Sequence, residues 1–536
     1  MTFPPCDLNP QLATVLKPVL DRWNVASNPS HFPPKAYTDD FGLQIKSLLI
    51  APEHSQDGIN FVNTPRNLTA ICKHLGIELY PVERFYFVRD HYIRLVDGTV
   101  ATAASSEKLE NAALNTHSSN LYLHRSAATH TKNQLFNSWS GHTKFPGWTG
   151  NLPNNETPKP LSFTYVEGGN MFTLTNDEGT TKICLGSDHF LQTLLILELE
   201  GRSWANLASC LSDGSWDEQI AHYSKLLTPL EIVELCEEMF ACGLALYKGR
   251  GGVIHTKVLL PLLMMKCFSP QPIPEGVEGK TWFRQLAAEA STIPKFDLQQ
   301  DQIEPLRLIV GTYLAKKKLV HALIAKDLKI PSQDLHQIPQ ANYHLDTFMT
   351  PGPNNTVFLT NYSFTFELLN AIKIAREELK LSEDDLLLLE RYMETANKLN
   401  VELSPLLDAA AAELQKAGLK VIPTPNSLIY EPFDPMLEFP LSLNPLSINL
   451  ANAITGRSLL TGRHFYITHG MQAGQKIGNL FMAMYTHFLD HYVPGIDTYF
   501  IGRDENNNFS EAMEWWNRLE TQSGIHCASW ILEIVH

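Results

Sequence analysis

The stretch 47–82, SLLIAPEHSQDGINFVNTPRNLTAICKHLGIELYPV, decides how the rest of the chain is read. SLLIAPEH reads as a strand, TPRNLTAICKHLG as a helix closed by Gly76, and IELYPV as a second strand. FYFVRDHYIRLV (85–96) follows as a third strand, rich in aromatic and β-branched side chains, and ends at the Asp97-Gly98 turn. The unit is β-α-β-β.

Similar text returns along the chain. LSFTYVEGG (161–169), MFTLTN (171–176) and TKICLG (181–186) form one strand cluster, and NYHLDTFMTPG (342–352) with TVFLTN (356–361) forms another. LLDAAAAELQKAGLKVIPTP (406–425) reads as an amphipathic helix stopped by Gly418 and followed at once by a strand. INLANAITGRSLLTGRHFYITHG (448–470), TYFIGR (498–503) and GIHCASWILEIVH (524–536) supply the last strands. No sequence period is visible, so the expected repeat is one of structure: a recurring α/β module rather than a single parallel sheet.

Two segments differ. Residues 227–247 and 303–328 carry apolar side chains at three- and four-residue spacing, as do residues 364–399, and all are expected to be helical. The division is therefore a Pro- and Asn-rich irregular lead-in over 1–41, a core in two parts over 42–190 and 336–536, and a mainly helical insertion over 191–335. The Lys316-Lys317-Lys318 run is read as a solvated helix face.

Composition limits the function classes. Hydrophobic residues are 44% and charged residues 18% of the 536, ordinary for a globular protein. The net charge of −15 argues against non-specific binding to nucleic acid or an anionic membrane, both of which need a basic footprint. No basic stretch followed by an apolar run opens the chain, and the longest apolar run, 258–265, is interrupted by Pro261 and far too short to span a bilayer. The eight cysteines form no CxxC pair and no zinc spacing, so reduced thiols in a cytoplasmic setting are expected.

Four places join ionisable side chains to strand ends or glycine turns: Val88-Arg89-Asp90, Glu167-Gly168-Gly169-Asn170, His344-Leu345-Asp346, and Gly524-Ile525-His526-Cys527. His344 and Asp346 are expected in a strand, where positions i and i+2 share a face. HFLDHY (487–492) is expected to pack its aromatics with the two histidines at the rim, and KGRGG (248–252) to be an exposed turn.

The order RD, EGGN, HLDT and a late Cys after Gly-x-His resembles the guanidine-modifying enzyme superfamily, which includes arginine, agmatine and peptidylarginine deiminases, dimethylarginine hydrolases and amidinotransferases. The resemblance covers about 42–190 and 336–536. It implies a five-module ββαβ propeller, the pentein fold, to which residues 191–335 would add a helical insertion. It also implies roles: Cys527 as thiolate nucleophile on the amidine carbon, His344 as proton carrier, Glu167 as its support, and Asp90 with Asp346 as the carboxylate clamp on a planar cation. No metal or organic cofactor is implied.

The expected reaction is hydrolysis of a small-molecule or protein-borne guanidine to a ureido product and ammonia. An amidinotransferase using the same thiouronium intermediate, and a non-catalytic binding protein on the same fold, are the alternatives. The arginines that arginine deiminases carry after the EGG strand and just before the cysteine are absent from LGSDHF (185–190) and ETQSGIHC (520–527), which leaves the choice of guanidine open. The helical insertion is expected to cap the site, contact a protein partner or join an oligomer.

Overall fold

The computed structural model describes residues 10–23, 43–50, 66–81, 89, 92–94, 100–103, 135–136, 166, 168–175, 181–187, 189–190, 193–194, 197, 203–211, 214–236, 300–341, 344–353, 355–426, 449–470, 476–501, 526 and 529–535. It is a mixed α/β structure in which the described strands form four sheets.

One topology recurs in four places. Strand β6 (Met171–Thr175) forms a hairpin with β7 (Thr181–Gly186), and β7 then pairs in parallel with β8 (Leu335–Ile338). Strands β9 (Met349–Gly352), β10 (Thr356–Thr360) and β11 (Lys420–Thr424) repeat that antiparallel-then-parallel order. So do β12 (Ile454–Arg457), β13 (His464–His469) and β14 (Asp497–Ile501). The fourth unit joins distant parts of the chain: β15 (Ser529–Val535) is antiparallel to β1 (Gln44–Ile50), and β1 is parallel to β2 (Glu78–Pro81). A parallel return requires a crossover, and helices supply it in every case. Strands β3 (Tyr92–Arg94), β4 (Val100–Ala103) and β5 (Leu135–Phe136) form a further three-stranded sheet with both pairings antiparallel.

The crossover helices follow from their caps and stripes. Between β1 and β2 runs α2 (Arg66–Leu75), which buries Leu68, Ile71, Cys72 and Leu75 and ends at Gly76, held at φ +79°. Between β7 and β8 lie α3 (Trp204–Ser209), α4 (Trp216–Leu226) and α5 (Gln300–Asp327). Helix α5 buries Tyr313, Leu319, Val320 and Leu323 against the β6–β8 side, and Ile303, Leu306 and Val310 against the segment after α4. Gly311 lets α4 approach closely: a Cβ there would lie 1.9 Å from Ser224 Oγ. The helical residues of 191–335 thus connect the second and third strands of one unit.

Between β10 and β11, Asn361 caps α6 (Tyr362–Ile374) by accepting from Phe364 N at 2.8 Å. Ser382 and Asp385 form a reciprocal capping box on α7 (Glu383–Lys416), and Gly418, at φ +80°, follows its end. Helix α8 (Lys476–Tyr492) makes the last crossover, with Phe488 and Tyr492 buried and His487 and His491 at the rim, as the sequence suggests.

The N-terminal expectation is corrected. Residues 10–22, read as irregular, form helix α1 (Pro10–Arg22), whose Leu16, Val19 and Leu20 enter the core shared by α6, α7 and α8. Those three positions are three and four apart, enough for a buried stripe despite Pro18. Trp23 stacks on Phe364 at 5.0 Å and fixes the end of the helix. The Lys316–Lys318 face is mixed: Lys318 is exposed, while Lys316 lies over the Trp204 ring at 5.0 Å. KGRGG lies outside the described residues.

Candidate active site

The motif residues precede the strands rather than lying in them. His344 is extended, but Leu345–Thr347 form a turn of 3-10 helix and β9 starts only at Met349. Strand alternation therefore does not put His344 and Asp346 on one face, because a 3-10 turn advances about 120° per residue. What brings both side chains inside is burial of the whole turn: His344 is 4% exposed, and Asp346 and Thr347 are fully enclosed. The same correction applies elsewhere. Gly168–Asn170 form a 3-10 turn before β6, Arg89 has helical backbone ahead of β3, and His526 sits in a turn ahead of β15.

Each motif thus occupies the same place in its unit, the few residues entering the first strand. Residues ahead of a first strand lie outside its hydrogen-bonded ladder and must satisfy their backbone otherwise.

Buried asparagines do so. Asn170 Oδ1 accepts the backbone N–H of Leu345 at 2.9 Å, and Asn170 Nδ2 donates to Gln340 Oε1 at 3.1 Å. Gly186 makes room for that pair, since a Cβ there would lie 2.2 Å from Asn170 Oδ1. Asn452, two residues ahead of β12, accepts the backbone N–H of His526 at 2.8 Å. In both cases the asparagine entering one unit holds the backbone entering the next. A third, Asn426, accepts from Leu450 N at 3.0 Å just before Asn452. Thr347 Oγ1 donates to the His344 carbonyl at 2.6 Å and closes the HLDT turn.

The central contact joins two motifs. His526 Nδ1 lies 2.8 Å from Asp346 Oδ2, with both side chains buried. A carboxylate can only accept, so Nδ1 carries the proton and donates a charge-assisted hydrogen bond. Phe172 packs against the same imidazole with ring centroids 6.0 Å apart.

Beside this pair is a small, partly open pocket whose lining includes Arg89, Pro351, Thr455, His526 and Ser529. Its walls come from residues entering or within the first strands of four units, β3, β9, β12 and β15, which belong to three sheets, so it is a point where those units converge. Arg89 is 2% exposed and His526 5% exposed.

Of the expected site residues, His344 and Asp346 are both buried within one turn. Asp90, Glu167 and Cys527 lie outside the described residues, although each is the chain neighbour of a described one: Arg89, Gly168 and His526. His526, Asn170, Asn452 and Arg89 were given no role from the sequence. His526, Asn170 and Arg89 stand inside quoted motifs, and for the first two the signal is a polar side chain beside a glycine-bearing turn. Asn452 carried no signal short of the fold itself.

Among the described residues, no group of three His, Cys, Asp or Glu is arranged to hold a metal ion. Burial pushes the Cys72 and Cys184 thiols up to about 12, so neither is a thiolate at neutral pH. No described helix is long and apolar enough to cross a membrane. Comparisons with protein-family models, curated proteins and solved structures found no match.

Proposed function

We propose that this protein is a guanidine-directed hydrolase of the deiminase type, built on a five-module ββαβ propeller. Two things support the fold. Four units share one strand order, and the β15–β1 pairing completes one of them from distant parts of the chain, as closure of a ring requires. The sheet of β3, β4 and β5 would be the fifth module.

The observation that carries the function is the buried contact between Asp346 and His526, beside a cavity and next in the chain to Cys527. It links two motifs far apart in sequence that the reaction needs together. Asp346 is one carboxylate of the clamp on the planar cation, and Asp90, which follows the cavity-lining Arg89, is the other. Because His526 already engages Asp346 Oδ2, that carboxylate receives a guanidinium with its orientation set.

The Cys527 thiolate adds its electron pair to the amidine carbon. The tetrahedral adduct collapses with cleavage of one C–N bond, and His344 gives its proton to the departing nitrogen, releasing ammonia. His344 then takes a proton from water as the oxygen adds to the thiouronium carbon. Cleavage of the C–S bond returns the thiolate and leaves a ureido product. Glu167 supports His344 while it is protonated.

The test is ammonia release from a panel of arginine, agmatine, methylated arginine and an arginine peptide. The wild-type chain is expected to turn over at least one of them, and Cys527→Ala to lose at least about a thousandfold while keeping its fold. Equal release by the variant would refute covalent catalysis. Transfer of the amidino group to added glycine without ammonia would instead identify an amidinotransferase.

A further inference from the structure

We propose that His526 is a positioning residue that fixes the Asp346 carboxylate for recognition of the substrate cation; the proposal rests on the guanidine reading above. Three constraints hold the imidazole. Its backbone N–H is bound by Asn452 Oδ1 at 2.8 Å, its Nδ1 by Asp346 Oδ2 at 2.8 Å, and its ring packs, tilted, near that of Phe172 with centroids 6.0 Å apart. The ring therefore has one orientation, and the carboxylate that accepts from it cannot turn about its own axis without breaking a buried charge-assisted bond.

The backbone around Asp346 is secured separately: the residue lies in a 3-10 turn of three residues, which is held through Asn170 to Leu345 and through Thr347 to His344, while the His526 bond acts on the carboxylate itself. A planar cation is recognised by the direction as well as the charge of the oxygens facing it. A carboxylate free to rotate would keep the charge and lose the direction. His526 also lines the cavity and immediately precedes Cys527, so one residue ties the clamp to the chain that bears the nucleophile.

The experiment compares alkylation of Cys527 by chloroacetamidine and by chloroacetamide, followed by peptide mass spectrometry on the full chain. In both reagents the thiolate displaces chloride from the same kind of carbon, forming a C–S bond and breaking C–Cl. They differ in that one carries an amidinium cation and the other is neutral. The ratio of the two rates therefore reports cation recognition, and a general loss of folding or thiol reactivity cancels.

The wild type is expected to prefer the cation. His526→Ala and His526→Gln should lose about tenfold of that preference, the scale of one charge-assisted hydrogen bond. His526→Asn should stay within about threefold of wild type, because its amide nitrogen stands close to the place of Nδ1 and still donates. Melting temperatures of the three variants check that they fold. Unchanged ratios in the Ala and Gln variants would overturn the positioning role while leaving the guanidine reading intact, and so would an Asn variant as impaired as Ala. A wild type with no preference for the cation would sink the guanidine reading itself, and this proposal with it.

Discussion

A single imidazole shows how far burial alone can carry chemistry in this chain. His469 ends β13, is buried, and that burial lowers its pKa from 6.5 to about 3. The unfolded chain takes up a proton near pH 6.5 that the folded chain refuses until about pH 3. Stability from this residue is therefore complete above pH 6.5 and is lost as the pH falls through that window. The expected loss between pH 7 and pH 4 is on the order of 3 kcal/mol. Urea unfolding of wild type and His469→Leu at the two pH values checks it: the variant should show a shallower pH dependence, and equal slopes would contradict the assignment. Legibility at this scale is uneven. His344 and Asp346 were marked in the sequence by sharing one short motif, and both are buried. His469 was not marked, because THG at a strand end reads as an ordinary turn until the enclosing layers are known.

The asparagines act between elements rather than within them. Asn452 accepts the N–H of His526 and Asn170 that of Leu345, each just ahead of a first strand in the following unit. Removing the acceptor leaves a buried N–H without that partner, which costs about 1 to 3 kcal/mol. Asn452→Ala is expected to lower the unfolding free energy by that amount, read as a lower urea midpoint, and to weaken the approach to β15. A midpoint unchanged in the Ala variant would show that the bond contributes nothing. Helices and strands were legible here where periodicity is strong, as in α7 with its Ser382 capping box and the Gly418 that follows it. Helix α1 was hidden by the prolines around it, and the 3-10 turns were read as strand, because a turn of three residues is too short to show a period.

Across the whole molecule, the decisive pairing is the one between β15 and β1, which runs from Gln44↔Val535 to Ile50↔Ser529. Strand β1 lies between β15 and β2, and also meets β12 at Gln44↔Arg457. Deleting residues 529–536 would expose one full edge of β1, and an exposed apolar edge invites aggregation. That truncation is expected to abolish the cooperative thermal transition or leave the chain insoluble; a wild-type melting curve would contradict the importance given to this closure. The recurrence of units was legible from the strand clusters, but this closure was not, since nothing local in GIHCASWILEIVH says that its partner is QIKSLLI. The same closure brings His526, next to Cys527, against Asp346. The most direct measurement is the mass of the Cys527 peptide after acid quench during turnover of an accepted guanidine. A covalent amidino adduct confined to that peptide is the predicted result, and turnover without any adduct, or with the adduct on another residue, would contradict it.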